Sequence, residues 1–198
     1  METALIEVLM FWMLTTPHEF AHAWVAMKLG DDTPVREGRV TLNPLAHVDW
    51  LGTVILPLAM SIFSGGFIGW GKPVNTNPSK LRWGLNGMAL VAMAGPASNV
   101  VFAILLLAVA AHTGKTVTTL CAMAARLSLF LAIFNILPVP PLDGSKLLLA
   151  ARLPIFIYIE LQRFGFLLIL IAMSSTHLGL WMSTWSWQAT DQIFHWFA

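Results

Sequence analysis

From Gly84 to Ala111 the chain carries no ionisable side chain. At about 1.5 Å per residue, a helix of that length crosses the roughly 30 Å of hydrocarbon in a bilayer. Lipid offers the backbone no hydrogen-bond partner, so such a run is committed to helix. Four further apolar runs accompany it, at residues 4–29, 51–68, about 120–137 and about 164–182. The first is interrupted only by Glu7 and by the segment from Thr15 to His22, the second contains Pro57 and closes at Gly65-Gly66, and the third stops at Pro138. Charged residues make up 11% of the chain, against about 25% in soluble domains. The expectation is an all-α polytopic membrane protein in a single domain over 1–198, with a core over about 4–150 and a C-terminal helix and Trp-rich tail over 153–198.

Charge excludes some functions and orients the spans. A formal net charge of +1 with scattered basic loops leaves no stripe for nucleic acid. The single cysteine, Cys121, forms no internal disulfide and no thiolate zinc site by itself. The opening run has no basic leader and carries His18, Glu19 and His22 within it, so it reads as a retained span and not a cleaved signal peptide. Lys28, Arg36 and Arg39 precede residues 51–68, and Lys72, Lys80 and Arg82 follow them. Because cytoplasmic loops collect Lys and Arg, a dip that re-enters keeps both clusters on one side, whereas a crossing exports one. With the dip, every Lys and Arg except Lys115 and Arg126 lies on the cytoplasmic side, and the N-terminus with Glu2 and Glu7 faces outward. Trp181, Trp185, Trp187 and Trp196 read as an interfacial aromatic belt. Between Gly30 and Trp50 the β-compatible stretch Arg39-Val40-Thr41-Leu42 suggests a small aqueous hairpin whose edge can pair with an extended peptide.

The chemistry lies in His18-Glu19-Phe20-Ala21-His22, an H-E-x-x-H pattern on the opening helix. Residues four apart share a helix face about 6 Å apart, so two imidazoles can grip one Zn²⁺ ion and leave a position open for water. Glu19 is placed to take a proton from that water and hand it to a leaving amine. Three ionisable groups at bilayer depth cost at least about 2.5 kcal/mol each, which marks the cluster as functional. A catalytic zinc takes a third protein ligand. No histidine follows at the spacing of the extended H-E-x-x-H-x-x-G-x-x-H motif, where Lys28 stands instead. Asp143, in the turn-forming stretch Asn135-Ile136-Leu137-Pro138-Val139-Pro140-Pro141-Leu142-Asp143-Gly144, is the favoured partner.

Residues 18–22, the segment Gly95-Pro96-Ala97-Ser98-Asn99 and the stretch Asn135 to Gly144 together resemble the site-2 protease family of intramembrane zinc metalloproteases. Leu42-Asn43-Pro44-Leu45-Ala46-His47 and Gly69-Trp70-Gly71-Lys72-Pro73-Val74 resemble its compact prokaryotic branch, and the likeness covers roughly residues 15 to 150. The resemblance implies a three-helix catalytic core carrying the three motifs, with extra helices around it. It implies one zinc held by His18, His22 and Asp143, Glu19 as the catalytic glutamate, and membrane-protein substrates. It also puts Asn135 beside the metal as an oxyanion or substrate-backbone donor, with Asn99 as a further substrate-binding residue; interhelical hydrogen bonding is the competing use of both amides.

Such an enzyme acts from a multi-pass position in a prokaryotic cytoplasmic membrane, with its site nearer the cytoplasmic face. His22 is seven residues from Leu29, about 10 Å of helix, which makes for a short water path. The dip and residues 65–71 are expected to wall that entrance. Two competing readings are a non-catalytic scaffold or chaperone with a structural metal site and a metal transporter. Glu19 argues against the first, and the lack of a ladder of further intramembrane ligands argues against the second.

Overall fold

The computed structural model describes residues 2–63 and 68–197. The described chain is helical: α1 (Glu2–Lys28), α2 (Thr33–Arg36), a 3₁₀ turn (Pro44–Ala46), a π-helical turn (Trp50–Ile55) running into α3 (Leu56–Phe63), α4 (Leu85–Ala111), α5 (Lys115–Ile136), α6 (Ser145–Ala150), α7 (Ile155–Ser175) and α8 (Leu178–Phe194). By length and composition α4, α5 and α7 are able to cross a membrane.

Helices α1, α4 and α5 form the centre. The buried residues of α1 include Ala4, Val8, Phe11, Thr15, His18, His22 and Ala26, which recur at intervals of three and four and so make one face. The buried stripe of α4 is made of small residues, among them Ala92, Gly95, Asn99 and Ala103, which lets the backbones of packed helices approach closely. Ala103 and Leu107 of α4, Ala125 and Leu129 of α5 and Ile193 of α8 then close one apolar cluster.

Helix α1 matches α4 in length at 27 residues but is not among the helices apolar enough to span. The cause is the polar series Thr15, Thr16, His18, Glu19 and His22, all of it buried, while Leu5, Leu9 and Met13 are exposed. The helix is thus polar towards protein and apolar outward, the arrangement an intramembrane site requires.

Three sequence expectations change. No strand occurs among the described residues, and the hairpin expected over 31–50 is replaced by α2 and the 3₁₀ turn. Asp32 and Pro34 start a helical turn, Gly38 takes a left-handed φ of 65°, and the Thr41 carbonyl is engaged by the His47 ring at 2.8 Å. Residues 39–42 therefore present no strand edge. The last long run also divides differently: α7 begins at Ile155 and α8 starts anew at Leu178. The break falls at Thr176, whose extended backbone ends α7 and whose Oγ1 accepts from Leu178 N at 3.1 Å. Helix α5 starts earlier than expected, at Lys115 behind Gly114.

Within 51–68 the structure shows an apolar helical stretch over Trp50–Phe63. Asp49 starts it, its Oδ1 accepting from Leu51 N at 3.1 Å and Gly52 N at 3.0 Å. At about 1.5 Å per residue it is shorter than the roughly 30 Å hydrocarbon layer. The Gly65-Gly66 pair expected to close it lies outside the described residues.

Candidate metal centre and cleft

His18 and His22 stand one turn apart on α1 with ring centroids 4.7 Å apart and planes at 85°. Their Nε2 atoms approach to 3.1 Å. Asp143, in the turn between α5 and α6, brings Oδ2 to 3.1 Å from His18 Nε2 and 3.2 Å from His22 Nε2. The three atoms make a nearly equilateral triangle. An ion bonded tetrahedrally at about 2.0–2.1 Å separates its ligand atoms by about 3.3 Å, so the triangle has the dimensions of one tetrahedral face.

Hydrogen bonding around the rings fits a cation at this point. His22 Nδ1 lies 2.7 Å from the Val91 carbonyl oxygen. An oxygen there accepts, so Nδ1 carries a proton, and the neutral form of the ring presents its Nε2 lone pair to the triangle. His18 Nδ1 and Asp143 Oδ2 are buried without a hydrogen-bond partner. Lone pairs from a neutral imidazole and a carboxylate at this separation repel unless a positive ion stands between them. Gly95 of α4 keeps the space open: a Cβ there would lie 2.5 Å from His22 Cε1 and 2.6 Å from His18 Nε2. The residues present therefore fit a zinc ion.

A cleft of about 240 Å³ opens beside the triangle, with Glu19, His22 and Asp143 on its lining. One wall is the segment Pro73 to Thr76; Met88, Val91 and Ala92 of α4, Pro141 of the Asp143 turn and Lys146 of α6 complete it. Glu19 is buried, and its Oε2 accepts from the Val74 amide at 3.1 Å.

The wall from Gly69 to Asn77 has no helical bonds of its own and is stitched from outside. Trp70 N donates to Gly52 O at 3.0 Å and Thr53 Oγ1 donates to Trp70 O at 2.9 Å. Lys72 N donates to His47 O at 3.0 Å, and the Arg39 guanidinium donates to Lys72 O. Asn77 N donates to Asp31 Oδ2 at 2.6 Å. Arg39, Asp31 and His47 are all buried. Burial lowers the Arg39 pKa, against the pull of the Glu19 and Glu37 carboxylates. Burial also lowers the His47 pKa below its ordinary value, which keeps the ring neutral while Nε2 faces Thr41 O.

The structure thus brings His18, Glu19, His22 and Asp143 together and leaves two expected residues outside the cleft lining. Asn135 Nδ2 donates to Leu131 O of its own helix at 3.0 Å, and its carbonyl accepts from Gly144 N at 2.7 Å. Asn99 is buried a turn beyond Gly95; its carbonyl accepts from Ser128 Oγ at 2.8 Å and its side-chain amide has no partner. Lys146 on the cleft lining and Arg39 behind its wall carry no site expectation from sequence, where both count only among the basic residues placed on the cytoplasmic side; for Lys146 the usable signal is its position three residues after Asp143.

The profile described as Peptidase family M50 matches residues 6–118 and 110–172. Two similar proteins carry the name putative zinc metalloprotease. YwhC of Bacillus subtilis (strain 168) is 37% identical over 144 residues, covering 67% of this chain and 63% of its own length. Rip2 of Mycolicibacterium smegmatis is 29% identical over 189 residues, covering 89% of this chain and 70% of its own. The chain therefore spans less than two thirds of YwhC and somewhat more than two thirds of this Rip2. No solved structure matches the chain.

Proposed function

The chain belongs to the M50 peptidase family, the site-2 proteases, and from that premise we propose that it hydrolyses peptide bonds in or near the transmembrane segments of membrane-protein substrates. The observation that carries this reading is the meeting of two imidazoles and one carboxylate at 3.1–3.2 Å, with a buried glutamate in the same cleft. His18, His22 and Asp143 would hold one zinc per chain. A zinc ion there would supply Lewis-acid polarisation of the scissile carbonyl and activation of water.

Glu19 is the base. Its Oε2 already accepts from Val74 N, which orients the carboxylate and leaves Oε1 to accept a proton from water. The water oxygen bonds to the carbonyl carbon, the C–N bond breaks, and the same carboxyl returns the proton to the departing nitrogen. Asn135 is the proposed oxyanion donor; its Nδ2 must exchange the Leu131 carbonyl for the substrate. Asn99 is assigned a part in substrate binding through its unpartnered amide. The substrate helix must unwind locally, since its carbonyls are otherwise engaged in its own hydrogen bonds.

The reading includes a single integral membrane domain over 1–198, a multi-pass position in a prokaryotic cytoplasmic membrane and a site nearer the cytoplasmic face. Lys28 at the end of α1 and Lys146 on the cleft support that orientation. The test compares the purified protein with Glu19→Gln in liposomes carrying single-span substrates, with zinc content measured in parallel. Zinc retained and cleavage lost is the expected result. Equal cleavage by both removes Glu19 from the mechanism, and zinc without cleavage in the parent protein favours a metal-stabilised scaffold.

A further inference from the structure

Helix α7 buries Tyr158, Gly165 and Ile169, and most of its other residues are exposed. The first two of these meet the segment that carries Asp143. Gly165 packs on Pro140, where a Cβ would overlap the carbonyl oxygen and lie 2.8 Å from the carbonyl carbon. Tyr158 reaches the start of α6: Lys146 Nζ donates to its hydroxyl at 2.9 Å, and that hydroxyl lies 3.2 Å from Ser145 Oγ. Ser145 Oγ donates its one hydrogen to Leu142 O at 2.6 Å, so the Tyr158 hydroxyl is the donor to Ser145. The bonds therefore run in one direction, from Lys146 through Tyr158 and Ser145 to the carbonyl next to Asp143.

The Asp143 turn needs such external support. Pro138, Pro140 and Pro141 have no N–H to offer, and the backbone bonds left to the turn include Gly144 N to Asn135 O at 2.7 Å and Leu142 N to Val139 O at 3.0 Å. Ser145 is wholly buried and Tyr158 is 5% exposed, so water does not compete for these bonds. A carboxylate that must hold its place to within a fraction of an ångström is thus braced by a helix that reaches it through Pro140 and Ser145.

We propose that α7 positions the metal ligand Asp143, with Tyr158 and Ser145 as positioning residues and Gly165 permitting the close approach. The inference rests on the reading of His18, His22 and Asp143 as a zinc site. Loss of a hydrogen bond made to a metal ligand itself weakens affinity by roughly tenfold to a hundredfold, and a brace on the neighbouring carbonyl stays near the lower end of that range.

The test measures Zn²⁺ affinity by chelator competition, and the visible absorption of the Co²⁺-substituted protein, on the full chain in detergent. Tyr158→Phe keeps the ring against Lys146 and removes only the hydroxyl, so it leaves the helical fold intact by circular dichroism. The expected result is zinc binding weaker by up to about tenfold and a shifted Co²⁺ band, with Ser145→Ala behaving alike. Wild-type affinity and an unchanged Co²⁺ spectrum in Tyr158→Phe overturn the inference while the metal site stands, provided that Asp143→Ala loses zinc. If Asp143→Ala binds zinc as well as the parent, the site assignment itself fails and the inference falls with it.

Discussion

Replacing Gly95 by alanine adds one methyl group at the point where α4 faces both imidazoles. The added Cβ would lie 2.5 Å from His22 Cε1 and 2.6 Å from His18 Nε2, about 1 Å inside the usual carbon contact distance of about 3.5 Å. Neither ring yields easily in the ligand-binding pose, because His22 Nδ1 is tied to Val91 O at 2.7 Å and His18 must share its Nε2 position with Asp143 Oδ2 at 3.1 Å. Without metal no shared ion holds the rings in that pose, so they can turn away, His22 by giving up its Val91 bond, and the methyl is accommodated. Overpacking costs about 1–3 kcal/mol, and here it falls on the metal-loaded form. Converted at about 1.4 kcal/mol per decade, zinc affinity should drop roughly 5- to 150-fold. Helix stability should not suffer, since alanine is a better helix former than glycine by about 0.5–1 kcal/mol. The assay is chelator competition for Zn²⁺ beside thermal melting of the metal-free protein. Gly95→Ala with parental zinc affinity would refute the claim that this glycine keeps the cradle open.

Other perturbations separate the proposed ligands from the wall that holds Glu19, the proposed base. Asp143→Asn should lose most bound zinc, read by metal analysis after gel filtration, because an amide oxygen carries no charge to offset the ion. Arg39→Ala removes a charged donor from Lys72 O, a bond worth about 1.5–3 kcal/mol; amide exchange should quicken across Lys72 to Asn77 and kcat should fall with zinc content unchanged. Stability should decline as pH falls below about 6.5, the unfolded-state value for histidine. The sign follows from His47, whose folded pKa is depressed by burial: the unfolded chain takes up the proton first, so the contribution is complete above that pH and is lost beneath it. Melting temperatures between pH 7.5 and 5.5 should slope less in His47→Gln than in the parent.

Much of the site was legible in one dimension. The i, i+4 spacing of His18 and His22 is a property of any α-helix, and their placement in an apolar run is informative because lipid penalises ionisable groups without a task. The chemical incompleteness of the pair and a turn rich in proline point to Asp143, which the fold sets beside both rings. Helical character over 84–111 follows from lipid's refusal of free backbone groups, whatever the neighbours do.

What the sequence by itself determined is therefore local: which runs are helical and apolar, and which side chains share a face of one helix. The tertiary structure decided everything that depends on distant partners. It set no strand beside Arg39–Leu42 among the described residues, so a β-compatible stretch forms none itself. It set the Val74 amide on Glu19 and laid Gly95 against both rings. The physical reason is that helix formation satisfies the backbone within a few residues, whereas a strand, a buried cation or a braced turn is stable only when a segment far away in sequence supplies the missing hydrogen bonds.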